Sequence, residues 1–171
     1  MVRQGRAAVQ PLVRVDPAFE RDWPGARASA TECVLNTYVL AAMIDRASQA
    51  WVRKQGLPSL AAFNVLTILY GAGEPLQPSV ISERLMVTRG TLTGIMDTLE
   101  RDGFLRREQH SVDGRGRLVA LTDRGKDAVD RLMPRVHRAE RSVVAGLTQA
   151  EQRDLVGLLA RMQAAAATLE F

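Results

Sequence analysis

The sequence has few of the residues on which most enzymes and metal proteins depend. Its 171 residues include one cysteine, Cys33, and two histidines, His110 and His137. A single cysteine excludes an intrachain disulfide, and structural zinc sites usually take several cysteine or histidine ligands. The sequence also has no glycine-rich phosphate loop and no nucleophile motif. We therefore predict that the protein is not an enzyme, that it has no catalytic residues, and that it holds no metal or cofactor.

Long apolar runs are missing as well. No stretch reaches the roughly 18 to 20 uncharged apolar residues that cross a bilayer, and residues 1–28 lack the apolar centre of a signal peptide. We expect a soluble, cytoplasmic protein without a membrane partner. With 46% apolar side chains, the chain can build one core or share one with a partner subunit.

Lysine is nearly absent, since only Lys54 and Lys126 occur. The net charge of +4 and the isoelectric point of about 10.0 therefore depend on arginine. The planar guanidinium of arginine binds a phosphate or a guanine edge through two hydrogen bonds, although a GC-rich coding bias would give the same preference. Basicity favours a polyanionic partner but does not identify one.

Hydrophobic periodicity divides the chain into helices and one hairpin. Residues 1–28 carry prolines and few apolar repeats, which predicts a flexible or irregular extension. Two extended segments at 104–108 and 117–121 flank a glycine-rich turn and predict a β-hairpin. Apolar residues at helical spacing predict helices over about 29–55, 59–70, 79–85, 88–102, 122–145 and from 148 onward, with Pro134 predicting a kink.

Two short helices, a tight turn and a basic hairpin follow one another in the order of a winged helix-turn-helix. The second helix turns an apolar stripe to the core, so its opposite face and its N-terminus would enter the major groove, about 12 Å wide. The arginines of the hairpin could instead form solvated surface ion pairs. The residues that we predict to contact DNA are Thr88, Arg89, Gly90, Thr91, Thr93, Gly94 and Asp97 on the helix, and Arg106, Arg107, Arg115 and Arg117 on the hairpin.

The segment from Leu76 to Gly125 resembles the MarR family of bacterial transcription regulators. The specific motifs are LERDGFL at 99–105, DGRGR at 113–117, and Leu-Thr at 121–122 followed by Gly125. The resemblance extends over about residues 30–170 and leaves out the first 28. Met86 departs from it, because it occupies a turn position where the family often has glycine, and a non-glycine residue there must accept a strained backbone or reshape the turn.

The resemblance implies a mainly α fold with a small β-hairpin wing. Residues 58–121 would be the winged helix-turn-helix domain, and residues 29–57 and 122–171 a helical dimerisation region. The implied function is that of a homodimeric repressor that binds a pseudo-palindromic duplex DNA operator and is released by a small-molecule effector; activation is the alternative. Arg115 looks like the wing arginine that enters the minor groove, and Asp113 like the carboxylate that orients the wing arginines.

Two further sites are suggested by the resemblance. Some members sense hydroperoxides through a cysteine near the start of the first long helix, which would make Cys33 a redox sensor; the alternative is a small, inert, buried hydrophobe. Many members bind a small aromatic or phenolic effector between helices, whereas plain core or dimer packing is the competing interpretation. The predicted pocket residues are Tyr38, Met43, Trp51, Phe63 and Tyr70.

The sequence leaves two other possibilities, a metal site and a module used only for protein association. His137 and Glu140 stand at a metal-binding spacing on one helix face, but two ligands do not make a site. A degenerate winged helix used only for protein association would carry an acidic or apolar recognition face and wing, and this wing is rich in arginine.

Overall fold

A computed structural model describes residues 12–109 and 117–170, which form two units divided between residues 63 and 64. No helix in these two ranges combines the length and the apolar character needed to span a membrane. The elements are α1 (Phe19–Asp22), α2 (Ala28–Lys54), α3 (Leu60–Ala72), α4 (Pro78–Leu85), α5 (Arg89–Arg101), β1 (Leu105–Gln109), β2 (Arg117–Leu121), α6 (Asp123–Val143) and α7 (Gln149–Ala166).

The fold is mainly helical with one antiparallel hairpin, as predicted, and most element bounds lie within two residues of the predicted ones. Helix α1 was not predicted. Prolines surround it and it is only one turn long, so it has no periodicity for sequence reasoning to detect.

Residues 12–16, which we call the N-terminal strap, are held against α2 in the first unit by hydrogen bonds. The side-chain amide of Asn36 accepts the backbone N–H of Val13 at 2.9 Å and donates to its carbonyl at 3.0 Å. The carboxylate of Glu32 accepts the backbone N–H of Val15 at 3.1 Å and pairs with Arg14 at 2.8 Å. The described part of the irregular extension is therefore attached to α2 by side chains of that helix.

Helix α2 leaves much of its apolar surface uncovered. Near its end Val52 is buried, and Trp51 makes an edge-to-face contact with Phe63 at 6.2 Å between ring centroids. The exposed large apolar side chains are Val34, Leu35, Tyr38, Leu40, Met43 and Ile44.

The core of the second unit is built from α3, α4, α5, the hairpin and the start of α6. Leu66 on α3 and Ile81 on α4 are fully buried, as are Leu92 and Leu99 on α5. Strands β1 and β2 pair antiparallel from Leu105↔Leu121 to Gln109↔Arg117. The remaining buried side chains of the hairpin and α6 are Phe104, Leu105, Val119, Ala120, Leu121, Ala128, Val129 and Leu132.

An isolated β-bridge joins Leu76 to Val119 of β2, a pairing that the sequence does not predict. Leu76 and Val119 exchange backbone hydrogen bonds at 3.0 and 2.8 Å. This bridge fastens the connection between α3 and α4 to the hairpin.

The junction of the hairpin with α6 is tightly packed. Thr122 caps α6 by accepting the N–H of Gly125 at 3.1 Å, as predicted, and its hydroxyl donates to the carbonyl of Gly103 at 2.7 Å. The guanidinium of Arg124 lies 4.6 Å from the ring centroid of Phe104, a cation–π geometry.

Helix α6 continues through Pro134 as one helix, and its buried residues end at Leu132. Helix α7 begins with the predicted capping box of Thr148 and Glu151, and none of its residues is buried. The exposed large apolar side chains from the end of α6 onward are Val143, Leu147, Leu155, Val156, Leu158, Met162 and Leu169.

Candidate nucleic-acid interface

The turn between α4 and α5 is made by Met86 in a left-handed conformation. Its φ of 56° and ψ of 42° end α4, and its side chain is 92% exposed. Non-glycine residues seldom adopt this region because Cβ approaches the backbone too closely. Of the two outcomes that we expected for a non-glycine residue at this turn, the structure shows the strained backbone.

Thr88 caps the N-terminus of α5, as predicted. Its hydroxyl oxygen accepts the backbone N–H of Thr91 at 3.2 Å, and the two threonine hydroxyls lie 2.9 Å apart. The hydroxyl of Thr93 donates to the carbonyl of Arg89 at 2.9 Å, so its oxygen lone pairs remain available to accept a further hydrogen bond.

Helix α5 has the two faces that the sequence predicts. Leu92, Met96 and Leu99 are buried. The predicted contact residues of the opposite face, namely Arg89, Gly90, Thr91, Thr93, Gly94 and Asp97, are all exposed.

The two glycines of this face have no packing role in the described structure. A Cβ added to Gly90 or Gly94 would meet no atom within 4 Å. Glycine costs helix stability relative to alanine, and here it leaves the backbone open to close approach by another molecule.

The N-terminal end of α5 is electropositive. Its first turn contains Arg89 and no acidic residue, and the unpaired N–H groups of a helix N-terminus attract anions. A groove of about 350 Å³ runs beside it, lined by Pro78, Ser79, Arg89, Leu92, Thr93 and Met96.

Arg107 on β1 is engaged by two carboxylates of α5. Its Nη2 lies 2.6 Å from Asp97 Oδ1, and its Nη1 lies 2.5 Å from Glu100 Oε2. The hydrogen bond to Asp97 raises the pKa of Arg107, and the charges of both carboxylates act in the same direction. These pairings are not among those predicted from the sequence, although the spacing of residues 97 and 100 places both carboxylates on one side of the helix.

The other two arginines in the described part of the hairpin are less enclosed. The Arg106 side chain is 57% exposed, pairs with Glu108 at 2.6 Å and donates to the carbonyl of Leu121 at 3.2 Å. Arg117 is exposed at the start of β2. The predicted wing residues Asp113 and Arg115 lie outside the described residues, as does His110.

The predicted pocket residues differ widely in exposure. Phe63 is 4% exposed, whereas Tyr38 and Met43 are 69% and 46% exposed. The Tyr70 hydroxyl donates a hydrogen bond to Asp130, which raises the pKa of Tyr70. The effector pocket stays a prediction.

Cys33 is exposed on α2, and no described contact engages its sulfur. Its role as a redox sensor stays a prediction. His137 and Glu140 pair at 3.0 Å, and residues 12–109 and 117–170 contain no group of three or more side chains arranged to hold a metal ion.

Comparison with known proteins identifies the family to which this chain belongs. The sequence profile of the MarR family matches residues 59–116. The transcriptional repressor YetL of Bacillus subtilis is 30% identical over 129 residues, which cover 75% of this chain and 76% of that protein. The chain belongs to the MarR family. Its helix-turn-helix and hairpin are the winged helix-turn-helix of MarR proteins.

Other relatives match a shorter part of this chain or share a smaller fraction of identical residues with it. The regulator YwaE of Bacillus subtilis is 35% identical over 104 residues, and the match covers 61% of this chain and about 60% of that protein. Among solved structures, the PcaV transcriptional regulator of Streptomyces coelicolor is 28% identical with a TM-score of 0.63, covering 74% of this chain and 91% of that one.

Proposed function

We propose that the chain is a homodimeric transcriptional repressor that acts in the cytoplasm and binds a pseudo-palindromic duplex DNA operator. The observation that carries the proposal is the exposed, electropositive N-terminal half of α5. Arg89 and two glycines with open space around them form a helix surface that no described residue covers. A helix of this length fits the major groove, which is about 12 Å wide.

Dimerisation follows from the uncovered apolar faces. Tyr38 and Leu40 on α2, and Val156 and Leu158 on α7, are each at least half exposed. Monomeric proteins rarely leave extended apolar surface in water, and a stable interface buries about 800 Å² on each partner. A second copy of the chain would cover these faces and present two copies of α5 to successive major grooves.

The oligomeric state tests this part of the proposal directly. Leu158→Glu would place a charge in the proposed interface, so light scattering coupled to size exclusion should show a shift from dimer to monomer. Met86→Glu is the matched control, since Met86 is also an exposed apolar residue but lies in the helix-turn-helix. A wild-type protein that is monomeric at micromolar concentration would contradict the proposal.

Release by a small aromatic or phenolic effector is the second part of the proposal. It is supported by the relative PcaV, which was solved in complex with its natural ligand. An effector can act only if it binds the DNA-bound and the free geometry of the dimer unequally. Tyr38, Met43, Trp51, Phe63 and Tyr70 are the proposed pocket residues.

DNA binding is tested by fluorescence anisotropy with the promoter fragment beside the protein's own gene, at several salt concentrations. We expect tighter binding than to random duplex, and an affinity that falls steeply with salt because counterions are released from the phosphates. Arg115→Ala and Arg89→Ala should each weaken binding by about 1 to 3 kcal/mol. Arg153→Ala, an exposed arginine of α7, is the matched control. Binding that is indifferent to salt, or no preference over random DNA, would refute the proposal.

An association module without DNA binding is the competing function. It predicts an acidic or apolar recognition face, but the N-terminal half of α5 carries Arg89 and no carboxylate before Asp97. The positive charge of Arg89 therefore favours DNA binding over a role in protein association alone.

A further inference from the structure

The strand that leads into the wing is tied to the exposed side of α5 by one arginine. Arg107 pairs with Asp97 at 2.6 Å and with Glu100 at 2.5 Å. Its backbone N–H also donates to the Glu100 carboxylate at 3.2 Å. Three contacts therefore join β1 to two carboxylates that lie one turn apart on the helix.

Arg107 is directed towards the helix, unlike the arginine next to it. Its side chain is 21% exposed, whereas that of Arg106 is 57% exposed. Successive side chains of a strand point to opposite faces, and Arg107 shares its face with Leu105, which is 2% exposed. Most of the Arg107 guanidinium is therefore turned away from a ligand in solution.

The pair of Arg107 with Asp97 bears on DNA binding because the Asp97 carboxylate is negatively charged. Asp97 is 58% exposed and lies on the α5 face that carries Arg89 and Gly94. An unscreened carboxylate on that face would repel DNA phosphates. With Arg107 present, the cluster of Asp97, Glu100 and Arg107 carries a formal charge of about −1, whereas without it the two acids would carry about −2.

We propose that Arg107 is a positioning residue that fixes the wing on the recognition helix and screens Asp97 from the phosphates, and that it does not itself contact DNA. The proposal rests on the proposed DNA binding. It changes the roles predicted from the sequence, where Arg107 and Asp97 stand among the DNA contacts.

The salt dependence of binding separates positioning from contact. Each lost phosphate contact lowers the slope of log K against log salt by about 0.9. Arg107→Gln should bind about tenfold more weakly at low salt, a loss of about 1.4 kcal/mol, and because salt screens the exposed Asp97 carboxylate the loss should shrink as the salt concentration rises. Arg106→Gln changes the neighbouring, more exposed arginine, which we predict to contact DNA, and is the matched comparison in the same hairpin. The double variant Arg107→Gln/Asp97→Asn keeps the formal charge of the cluster at about −1 and should therefore keep the wild-type slope. A slope about 0.9 lower in the double variant would overturn the proposal.

A second variant tests the screening of Asp97. Asp97→Asn should change the affinity little in the wild type but should recover most of the loss when it is combined with Arg107→Gln. Arg107→Lys should lie between wild type and Arg107→Gln, because an ammonium keeps the charge but cannot bridge two carboxylates as a guanidinium does. Equal effects of Asp97→Asn in both backgrounds would refute screening.

Urea unfolding of the DNA-free protein distinguishes failure of this proposal from failure of the proposed function. A double-mutant cycle of Arg107→Gln and Asp97→Asn should be non-additive if the pair couples β1 to α5, and additivity would refute the coupling. If the wild type binds no duplex selectively while the cycle remains non-additive, the proposed function fails and the attachment of β1 to α5 stands as a structural feature only.

Discussion

The carbonyl oxygen of Phe104 occupies the space in which a side chain at Gly125 would begin. A Cβ built on residue 125 would lie 2.1 Å from that oxygen and 3.0 Å from Leu121 Cδ2. Gly125 is the third residue of α6, and its N–H is held by Thr122. Glycine is therefore required where the hairpin meets α6.

Gly125→Ala should lower the free energy of unfolding by about 1 to 3 kcal/mol, the usual cost of overpacking, because backbone cannot move aside as a flexible side chain does. Urea unfolding measures the change. Gly157→Ala on α7 is the matched control, since a Cβ there meets nothing within 4 Å. Equal stability of the two variants would contradict the packing seen at this corner.

Met86→Gly should raise the free energy of unfolding by about 0.5 to 1 kcal/mol. Glycine removes the left-handed strain, a gain that its greater freedom in the unfolded chain partly offsets. Little packing is lost, because the Met86 side chain is 92% exposed. Met86→Ala keeps Cβ and should show no gain in the same denaturant titration; a gain as large as that of the glycine variant would point away from backbone strain.

Gly94→Ala should separate stability from binding. Alanine at this exposed helical position should stabilise the protein by about 0.5 to 1 kcal/mol, while its methyl group hinders the approach of DNA and lowers the affinity. Denaturant unfolding and anisotropy on the same preparation measure both effects. Gly71→Ala, in the last turn of α3 and also in open space, should leave the affinity unchanged. Wild-type affinity in Gly94→Ala would remove Gly94 from the DNA surface.

The N-terminal strap should weaken on acidification. The backbone N–H of Val15 and then the Arg14 side chain lower the pKa of Glu32 from 4.5. A lowered folded-state pKa means that the stabilisation is present above the unfolded pKa and disappears as the pH falls through the folded value.

Amide NMR resolves this titration. The Val15 amide shift should follow Glu32 with a midpoint below 4.5 and should lose that step in Glu32→Gln. The Val13 amide, which is held by Asn36, is the internal control. A Val15 step that persists in Glu32→Gln would assign the titration to another group.

The contact between Tyr70 and Asp130 should respond to pH in the opposite direction. The hydrogen bond to Asp130, followed by the charge of that carboxylate, raises the pKa of Tyr70 above 10.0. Its stabilisation is therefore complete below pH 10 and is lost as the pH rises through the higher folded value. Ultraviolet absorbance of the phenolate should show a component above pH 10 that disappears in Tyr70→Phe. If Asp130→Asn leaves that component unchanged, the carboxylate is not its cause.

Local signals were sufficient to place most elements. Thr88, Thr122 and Thr148 each cap the helix predicted to start there, because a cap depends only on residues three positions apart. Contacts between distant residues were not predictable in this way. Val13 and Asn36 lie 23 positions apart. Which carboxylates the Arg107 side chain reaches depends on how β1 packs against α5. From the sequence, Arg107 can therefore only be grouped with the other arginines of the hairpin as a predicted DNA contact.

Most of the hydrogen bonds that hold the N-terminal strap on α2 are made by its main chain, and the exception is the exposed ion pair of Arg14 with Glu32, a kind of pair that adds little stability. Asn36 binds the N–H and the carbonyl of Val13, and Glu32 binds the N–H of Val15. Any residue with a free N–H at positions 13 and 15 can make these bonds, so proline is the one replacement that they exclude. The strap can therefore vary widely in sequence while it stays attached, and the requirement for particular residues falls on α2 at positions 32 and 36.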